Sequence, residues 1–393
     1  MPGICGILQL GSPPDTVDRV RRMTACLVHD ASIHSHATHA EPGCNAQLGW
    51  VWDVAFPENA VLRYDNRGEI EILVSGEDFS GNLASLPNAF AERGIAALRE
   101  LNGNASGVIL DRRKGSVVLF NDRFGLGRIY WHRASGVLHF ASEAKALLAV
   151  LPETRRIDER GLAETYTVGC TLQNRSLFQG IELLPPASAW TFHRDGRIER
   201  AQYFSPAEWE SESPLEPAAY TEALIDLFPR ILPRYLRAGD GSAMSLTGGL
   251  DSRMVLAWAH AAPSSLPCYT FGGPLRDCAD VTLARRLAQA TGQEHQTIRV
   301  GLCFLLRSPR WLSDRCCSAT ARWMRRARSK CSAMPGRAAF HRVASPAITA
   351  RRCCGRMSPF APRASFHISF RSSFIRSFSV RRKPMSRSAR ARG

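Results

Sequence analysis

From its sequence, this chain is an α+β domain followed by an α/β domain built on a parallel sheet, with a disordered or poorly packed tail. Short apolar or alternating runs separated by turn residues fill positions 1–150, as half-buried strands require. Between 217 and 300, strands alternate with helices, which implies βαβ units and a sheet covered on both faces. Beyond 301 the hydrophobic periodicity stops and acidic residues all but vanish.

In the first region the runs Leu48–Val54, Glu71–Val74, Gly107–Leu110, Val117–Asn121, Gly127–His132 and Val137–Ala141 read as strands. Phe90–Leu101 and Glu143–Val150 carry helical spacing. Residues 151–204 read as a connector with a helix at Glu159–Thr167 and a strand at Ala189–His193. Pro206, Pro214 and Pro217 mark the boundary to the second domain, residues 205–301. There the expected order is helix Ala218–Arg237, strand Ser242–Leu246, helix Arg253–Ala261, strand Leu266–Phe271, helix Val281–Thr291 and strand Thr297–Val300. No internal repeat is visible.

The net charge of +16 suggests nucleic acid, but its distribution argues against that partner. Residues 1–300 carry 29 Lys/Arg against 34 Asp/Glu, while residues 301–393 carry 22, twenty of them Arg, against the single acid Asp314. All the basicity therefore belongs to the tail. The start Met1-Pro2-Gly3 has no basic region ahead of its short apolar run, so no signal peptide is expected. No apolar stretch is long enough for a membrane span. A reducing cytoplasm with free thiols is the default expectation. Cys316-Cys317 and Cys353-Cys354 lack the spacing and histidine partners of a zinc site.

Ser245-Leu246-Thr247-Gly248-Gly249-Leu250-Asp251-Ser252 is the segment richest in chemistry. A strand, a tight Gly-Gly loop with hydroxyls and then a helix N-terminus gather backbone N–H groups and partial positive charge, which suits an anion. Asp251 could add a Mg²⁺ that bridges phosphate oxygens. No Gly-Lys-Ser/Thr follows, so this is not a Walker A loop. The bland alternative is an ordinary Gly turn at a strand–helix junction.

The loop resembles the pyrophosphate (PP) loop of the N-type ATP pyrophosphatases, Ser-Gly-Gly-x-Asp-Ser, with Thr247 in place of the first serine. Asp122-Arg123-Phe124-Gly125, Ala141-Ser142-Glu143-Ala144-Lys145-Ala146-Leu147 and Arg175-Ser176-Leu177-Phe178-Gln179-Gly180-Ile181 resemble, in order, segments of the glutamine-hydrolysing asparagine synthetases. Cys268-Tyr269-Thr270-Phe271-Gly272, Asp277, Asp280 and Gly292-Gln293-Glu294-His295 continue the match to about Val300. The resemblance implies an N-terminal-nucleophile (Ntn) hydrolase-like sandwich, a class II glutamine amidotransferase domain, over 1–150. It implies a truncated PP-loop ATPase domain over 205–301.

The resemblance also implies the chemistry. ATP activates a carboxylate as an acyl-adenylate, pyrophosphate leaves, and an amine displaces AMP. Thr247, Gly248, Gly249 and Ser252 would hold the pyrophosphate and Asp251 the Mg²⁺, with Leu246, Phe271 and Gly272 near adenine and ribose. Asp277 and Asp280 are weaker candidates that are expected instead to cap the helix beginning near Val281. Arg253 stands where the family often has a small residue, which leaves the carboxylate substrate open between aspartate, a peptide and another acid. A homodimer is left open as well.

The glutaminase half departs from the pattern. Family members begin Met-Cys-Gly-Ile, and the cysteine's own α-amine activates its thiol. Here Pro2 holds that place, or else Cys5-Gly6-Ile7 matches only after N-terminal trimming. Cys5 therefore reads as a buried structural residue on the first strand. The family's Asn-Gly-Glu has become Ser75-Gly76-Glu77, where Glu77 reads as a turn carboxylate. Asp122, Arg123, Ser142 and Glu143 read as structural polar contacts. Loss of glutamine hydrolysis is expected, with free ammonia or another amine as donor.

The tail, residues 302–393, reads as translation in a wrong frame of a GC-rich gene, which would yield Arg, Ala, Ser and Cys. Back-translating His341–Gly355 and discarding two bases permits PRRVTGNYGSEVLR. The same shift applied to Trp311–Lys330 permits AVGPMLFSDGAMDASGAVE. Both have ordinary globular composition, and the first restores a Gly-x-x-Gly-x-Glu segment where the family carries its second phosphate- and metal-side motif. A disordered basic arm and a nucleic-acid-binding tail are the alternatives, and an inactive remnant is the alternative to an active ligase.

Overall fold

A computed structural model describes residues 3–9, 16–28, 33–53, 62–66, 68–236, 242–273, 275–299 and 342–343. Two six-stranded antiparallel sheets form the first half. One contains β1 (Gly3–Gln9), β2 (Ile33–Glu41), β3 (Ala46–Asp53), β8 (Tyr130–Ala134), β9 (Val137–Ala141) and β10 (Glu182–Leu183), in the order β10-β8-β9-β1-β3-β2. The other contains β4 (Leu62–Asn66), β5 (Ile70–Asp78), β6 (Gly103–Asp111), β7 (Ser116–Asn121), β11 (Ser188–His193) and β12 (Ile198–Gln202), in the order β12-β11-β7-β6-β5-β4.

Strand β1 shows why the layers stack. Side chains alternate along a strand, so Ile4 and Leu8 enter the core between the sheets with Leu48, Leu110, Leu119, Phe140 and Trp190. Cys5 and Ile7 point the other way, onto α1 (Thr16–Leu27) and α3 (Ala144–Val150), where Val20, Met23, Leu27, Ala146 and Leu147 await them. The second sheet is covered by α2 (Leu86–Arg93), with Phe90 and Leu98 packed on Ile72, Val74, Ile109 and Phe120. The result is a helix–sheet–sheet–helix sandwich, as expected.

Several elements differ from the sequence expectation. The helix expected over Phe90–Leu101 is α2 ending at Gly94, whose φ of 58° stops it, followed by a 3-10 segment to Glu100. The strand expected from Gly127 begins at Tyr130, because the Asp122 carboxylate accepts the N–H groups of Phe124, Leu126 and Gly127 and holds a turn there. Residues 151–204 contain α4 (Glu159–Val168), yet they are not a free connector. Their strands complete both sheets, β10 on β8 and β11 on β7. Glu77 lies in β5, paired with Asn104, and not in a turn.

After the short α5 (Ala207–Glu210) come α6 (Pro217–Tyr235), β13 (Ser242–Ser245), α7 (Leu250–Ala259), β14 (Cys268–Gly272), α8 (Ala279–Ala290) and β15 (His295–Arg299). The sheet is parallel, in the order β15-β14-β13, and the two-residue β16 (Arg342–Val343) pairs on the far side of β13. Leu246, Leu256, Leu266, Cys268, Ala284 and Ala288 form its core. The Tyr235 ring lies 4.5 Å from that of Phe79, and its hydroxyl accepts from Asn102 Nδ2 at 3.0 Å, which ties the end of α6 to the sandwich. The tail expected over 302–393 lies outside the described residues, apart from β16.

Two stability predictions follow from the sandwich. Gly76 has a φ of 121°, and a Cβ there would stand 2.1 Å from the Asn104 carbonyl oxygen, so neither the backbone nor the space admits a side chain. Gly76→Ala should cost roughly 2–5 kcal/mol in urea unfolding; a loss below about 1 kcal/mol would contradict this packing. His139 is buried opposite His132, and among the described residues neither of its ring nitrogens finds a partner. Burial, helped by the nearby Arg19 and His132 charges, pushes its pKa down to about 4. Because the folded value lies below the unfolded one, stability is intact above about pH 6.5 and falls between there and pH 4 as only the unfolded chain takes up the proton. That fall should be roughly 3 kcal/mol and should be absent in His139→Leu, as read from unfolding curves across the window.

Candidate functional site

The Gly-Gly loop sits at the carboxyl end of β13, where the strand order turns back on itself and open α/β sheets bind ligands. Leu246 is buried, and its carbonyl accepts from Thr270 Oγ1 at 2.6 Å, while its N–H donates to the Tyr269 carbonyl at 2.9 Å. The residue just past β13 is thereby fixed to β14. Gly249 is the N-cap of α7 with extended backbone angles, so the helix axis starts at the loop. The register Ser245↔Tyr269 sets Phe271 and Gly272, at the end of β14, alongside it.

Sequence alone suggests free N–H groups in this loop, but the structure gives those of Thr247, Gly248 and Gly249 acceptors. Thr247 N donates to Ser252 Oγ at 3.2 Å, Gly249 N to Thr247 Oγ1 at 3.2 Å, and Gly248 N to Asp280 Oδ1 at 3.2 Å. The Thr247 and Ser252 hydroxyls lie 3.0 Å apart. Thr247, Gly248, Gly249 and Ser252 are thus brought together in one knot at a helix N-terminus, with Asp251 exposed in the first turn of α7. Two of these bonds use hydroxyls that can rotate to serve another acceptor.

Asp280 is the residue that sequence reasoning undervalued. Neither it nor Asp277 caps α8: the N-cap is Cys278, with no side-chain capping bond. Asp277 is instead clamped by Arg285 at 2.9 Å and Arg299 at 2.7 Å, and the hydrogen bond from Arg285 leads in holding its carboxyl below the usual range. Asp280, in the first turn of α8, reaches back across to the loop. A sheet argument could have found it, because the N-terminus of a helix that follows the adjacent parallel strand lies on the same edge.

For a metal, the donors at the loop are the carboxylates of Asp251 and Asp280, and no group of three His, Cys, Asp or Glu among the described residues could hold an ion. One or two carboxylates with phosphate oxygens suit Mg²⁺, so the residues present fit that ion together with a bound phosphate chain.

In the sandwich half, Cys5 lies in mid-strand, paired with Gly49 on β3 and Ala141 on β9. Its Sγ is fully buried, 3.3 Å from Thr24 Oγ1, and burial pushes the thiol up to about 12. A thiol so held is a packing group and not a nucleophile. Ser142 Oγ accepts from Ile4 N at 2.9 Å, and its own N–H donates to the Ile4 carbonyl at 2.8 Å, so Ser142 fastens β1 at its start. Arg123 donates to the Arg99 carbonyl, with its guanidinium carbon 5.5 Å from the centre of the Phe204 ring, and Glu143 pairs with Lys145 at 3.3 Å.

Residues 80–204 match the family model of a glutamine amidotransferase domain. Three glutamine-hydrolysing asparagine synthetases of Bacillus subtilis (strain 168) are similar to the chain. Asparagine synthetase 3 is 28% identical over 163 residues, 40% of this chain and 26% of that protein. Asparagine synthetase 1 is 23% identical over 51% of this chain and 31% of its own length, and asparagine synthetase 2 is 23% identical over 69% and 40%. The chain therefore spans between about a quarter and two fifths of the relatives it matches. Among solved structures, glutamine phosphoribosylpyrophosphate amidotransferase from B. subtilis, complexed with ADP and GMP, aligns with 75% of this chain and 65% of its own at 12% identity and a TM-score of 0.33. The allosteric regulatory enzyme of purine biosynthesis aligns with 75% and 80% at 10% identity, also with a TM-score of 0.33. In sequence, then, the chain is similar to asparagine synthetases, and residues 80–204 to a glutamine amidotransferase domain.

Proposed function

We propose that this chain derives from an ATP-dependent amide ligase of the asparagine synthetase type, acting in the cytoplasm on a small-molecule or peptide carboxylate and taking ammonia or another amine. The observation that carries it is the Thr247–Ser252 knot at the start of α7, on the ligand-binding edge of a parallel sheet. The similarity to asparagine synthetases supports the same reading. A carboxylate oxygen attacks the α-phosphorus of ATP while the bond to pyrophosphate breaks. The amine then attacks the acyl carbon, loses a proton, and AMP departs. The departing pyrophosphate accumulates negative charge, which the loop N–H groups and the N-terminus of α7 are placed to stabilise. Thr247 and Ser252 turn their hydroxyls outward to donate, and Asp251 holds the Mg²⁺, which supplies further charge neutralisation when bound. Leu246, Phe271 and Gly272 form the edge where adenine and ribose would lie.

Glutamine hydrolysis is lost in this proposal. Cys5 is committed to the core, with its Sγ buried against Thr24 Oγ1.

The composition break supports a second element: the reading frame shifts near residue 301, so the polypeptide as written lacks the rest of its ATP domain. Re-sequencing the gene decides this, and stop codons in the shifted frame across 302–393 would sink it. With the frame restored, the protein should exchange pyrophosphate into ATP when given its carboxylate, and the polypeptide as written should show little exchange. Asp251→Asn should lower the restored exchange about 100-fold or more. Neither form should release glutamate from glutamine, and such release would return the glutaminase role to the sandwich.

A further inference from the structure

The three N–H groups of the loop do not have equivalent acceptors. Two donate to the loop's own hydroxyls, which are neutral, and the third donates to the carboxylate of Asp280 from a different helix. The first turn of α8 is set hard against this point. A Cβ on Gly248 would stand 2.7 Å from Leu283 Cδ1 and 3.2 Å from Asp280 Oδ1, so only glycine lets α8 come this close. The other acid of the segment, Asp277, is neutralised by two arginines, Arg285 and Arg299.

We propose that Asp280 is a resident anion of the loop: its carboxylate holds the Gly248 N–H that a phosphate oxygen would take, and a pyrophosphate group has to evict it to bind. The inference rests on the loop being a pyrophosphate site and concerns how that site is regulated. A carboxylate at this N–H imitates one oxygen of the ligand and, once displaced, remains beside it as a like charge. Asp280 is therefore a positioning residue that keeps the loop in shape and sets a threshold for anion entry. A divalent cation held by the Asp280 carboxylate would lower the threshold by offsetting that like charge.

The test is a titration of the full chain, labelled with ¹⁵N-glycine, with inorganic pyrophosphate, following the amide signals of Gly248 and Gly249. These local signals separate the loop from any binding by the arginines of 302–393. Asp280→Asn should saturate at about tenfold lower pyrophosphate than the unaltered chain, and should depend less on added Mg²⁺. Asp277→Asn should match the unaltered chain. Asp280→Ser, which keeps a neutral acceptor, should show the same gain and covers the case in which Asp280→Asn fails to fold. A purely structural role would weaken binding on substitution, so an equal or weaker affinity in a folded Asp280 variant overturns the proposal. If the two glycine signals stay still in every variant at millimolar pyrophosphate, the pyrophosphate-loop reading itself fails and this inference goes with it.

Discussion

The pairing of β1 with β3 on one side and β9 on the other is the contact on which the rest of the sandwich depends. This one strand lies inside its sheet and is buried on both faces. It supplies Ile4 and Leu8 to the core between the sheets and Cys5 and Ile7 to the layer beneath the helices. Gly6, between them, passes under Phe140 and Leu48 with no room for a side chain. The start of the strand is latched twice to Ser142, at the turn into α3. Whatever chemistry once used this strand now has to coexist with that packing. A cysteine that contacts Thr24 in a dry layer cannot also be a reactive thiol, since burial favours the uncharged form that does not attack.

The loop of the second half obeys a similar rule. Buried or half-buried N–H groups find acceptors wherever they can, and here they find two hydroxyls and a carboxylate. On the proposed reading, anion binding would be an exchange of partners, its free energy the difference between a phosphate oxygen and the group that it replaces. Hydroxyl partners make that exchange inexpensive because they can turn and donate in their turn. The Asp280 carboxylate makes it depend on charge. The geometry of this loop thus bears on affinity through what it already holds, as well as through what it presents.

Legibility in the sequence followed the physics of each signal. The βαβ alternation after 217 was readable to within a few residues, because strand and helix periods differ and Gly and Pro punctuate them. In the sandwich, Phe90–Leu101 looked like one helix because Gly94 is a single residue in an otherwise suitable run, and its positive φ is a property of the backbone. The turn at 122–127 was hidden because a carboxylate, with no periodic signal, organises it. The strand at Ala189–His193 could be seen locally, but β10 and β12 were missed, and sheet membership is a long-range fact that no local pattern carries. At the site, the hydroxyls and glycines of the loop were legible from spacing. Asp280 was not, because its contact with Gly248 spans 32 residues and depends on two strands being neighbours.

Among the described residues, the second half is thinner than the first. Helix α6 runs 19 residues and buries only Leu232, while Tyr220, Ile225 and Leu227 on it are 40%, 48% and 42% exposed. Helices in a finished α/β domain put their apolar stripe on the sheet or on another helix, yet the described partner of α6 is chiefly α7. The sandwich needs no such completion: its three buried clusters close over both sheets. Among the described residues, the core of the second half is thus small beside the helices it carries. The composition of 302–393, with one acid against 22 basic residues, offers charge where that face needs apolar surface. Tyr220 and Leu227 share one face of α6 and Ile225 lies on another, and 302–393 carries no run of Leu, Ile and Val at helical spacing to cover either.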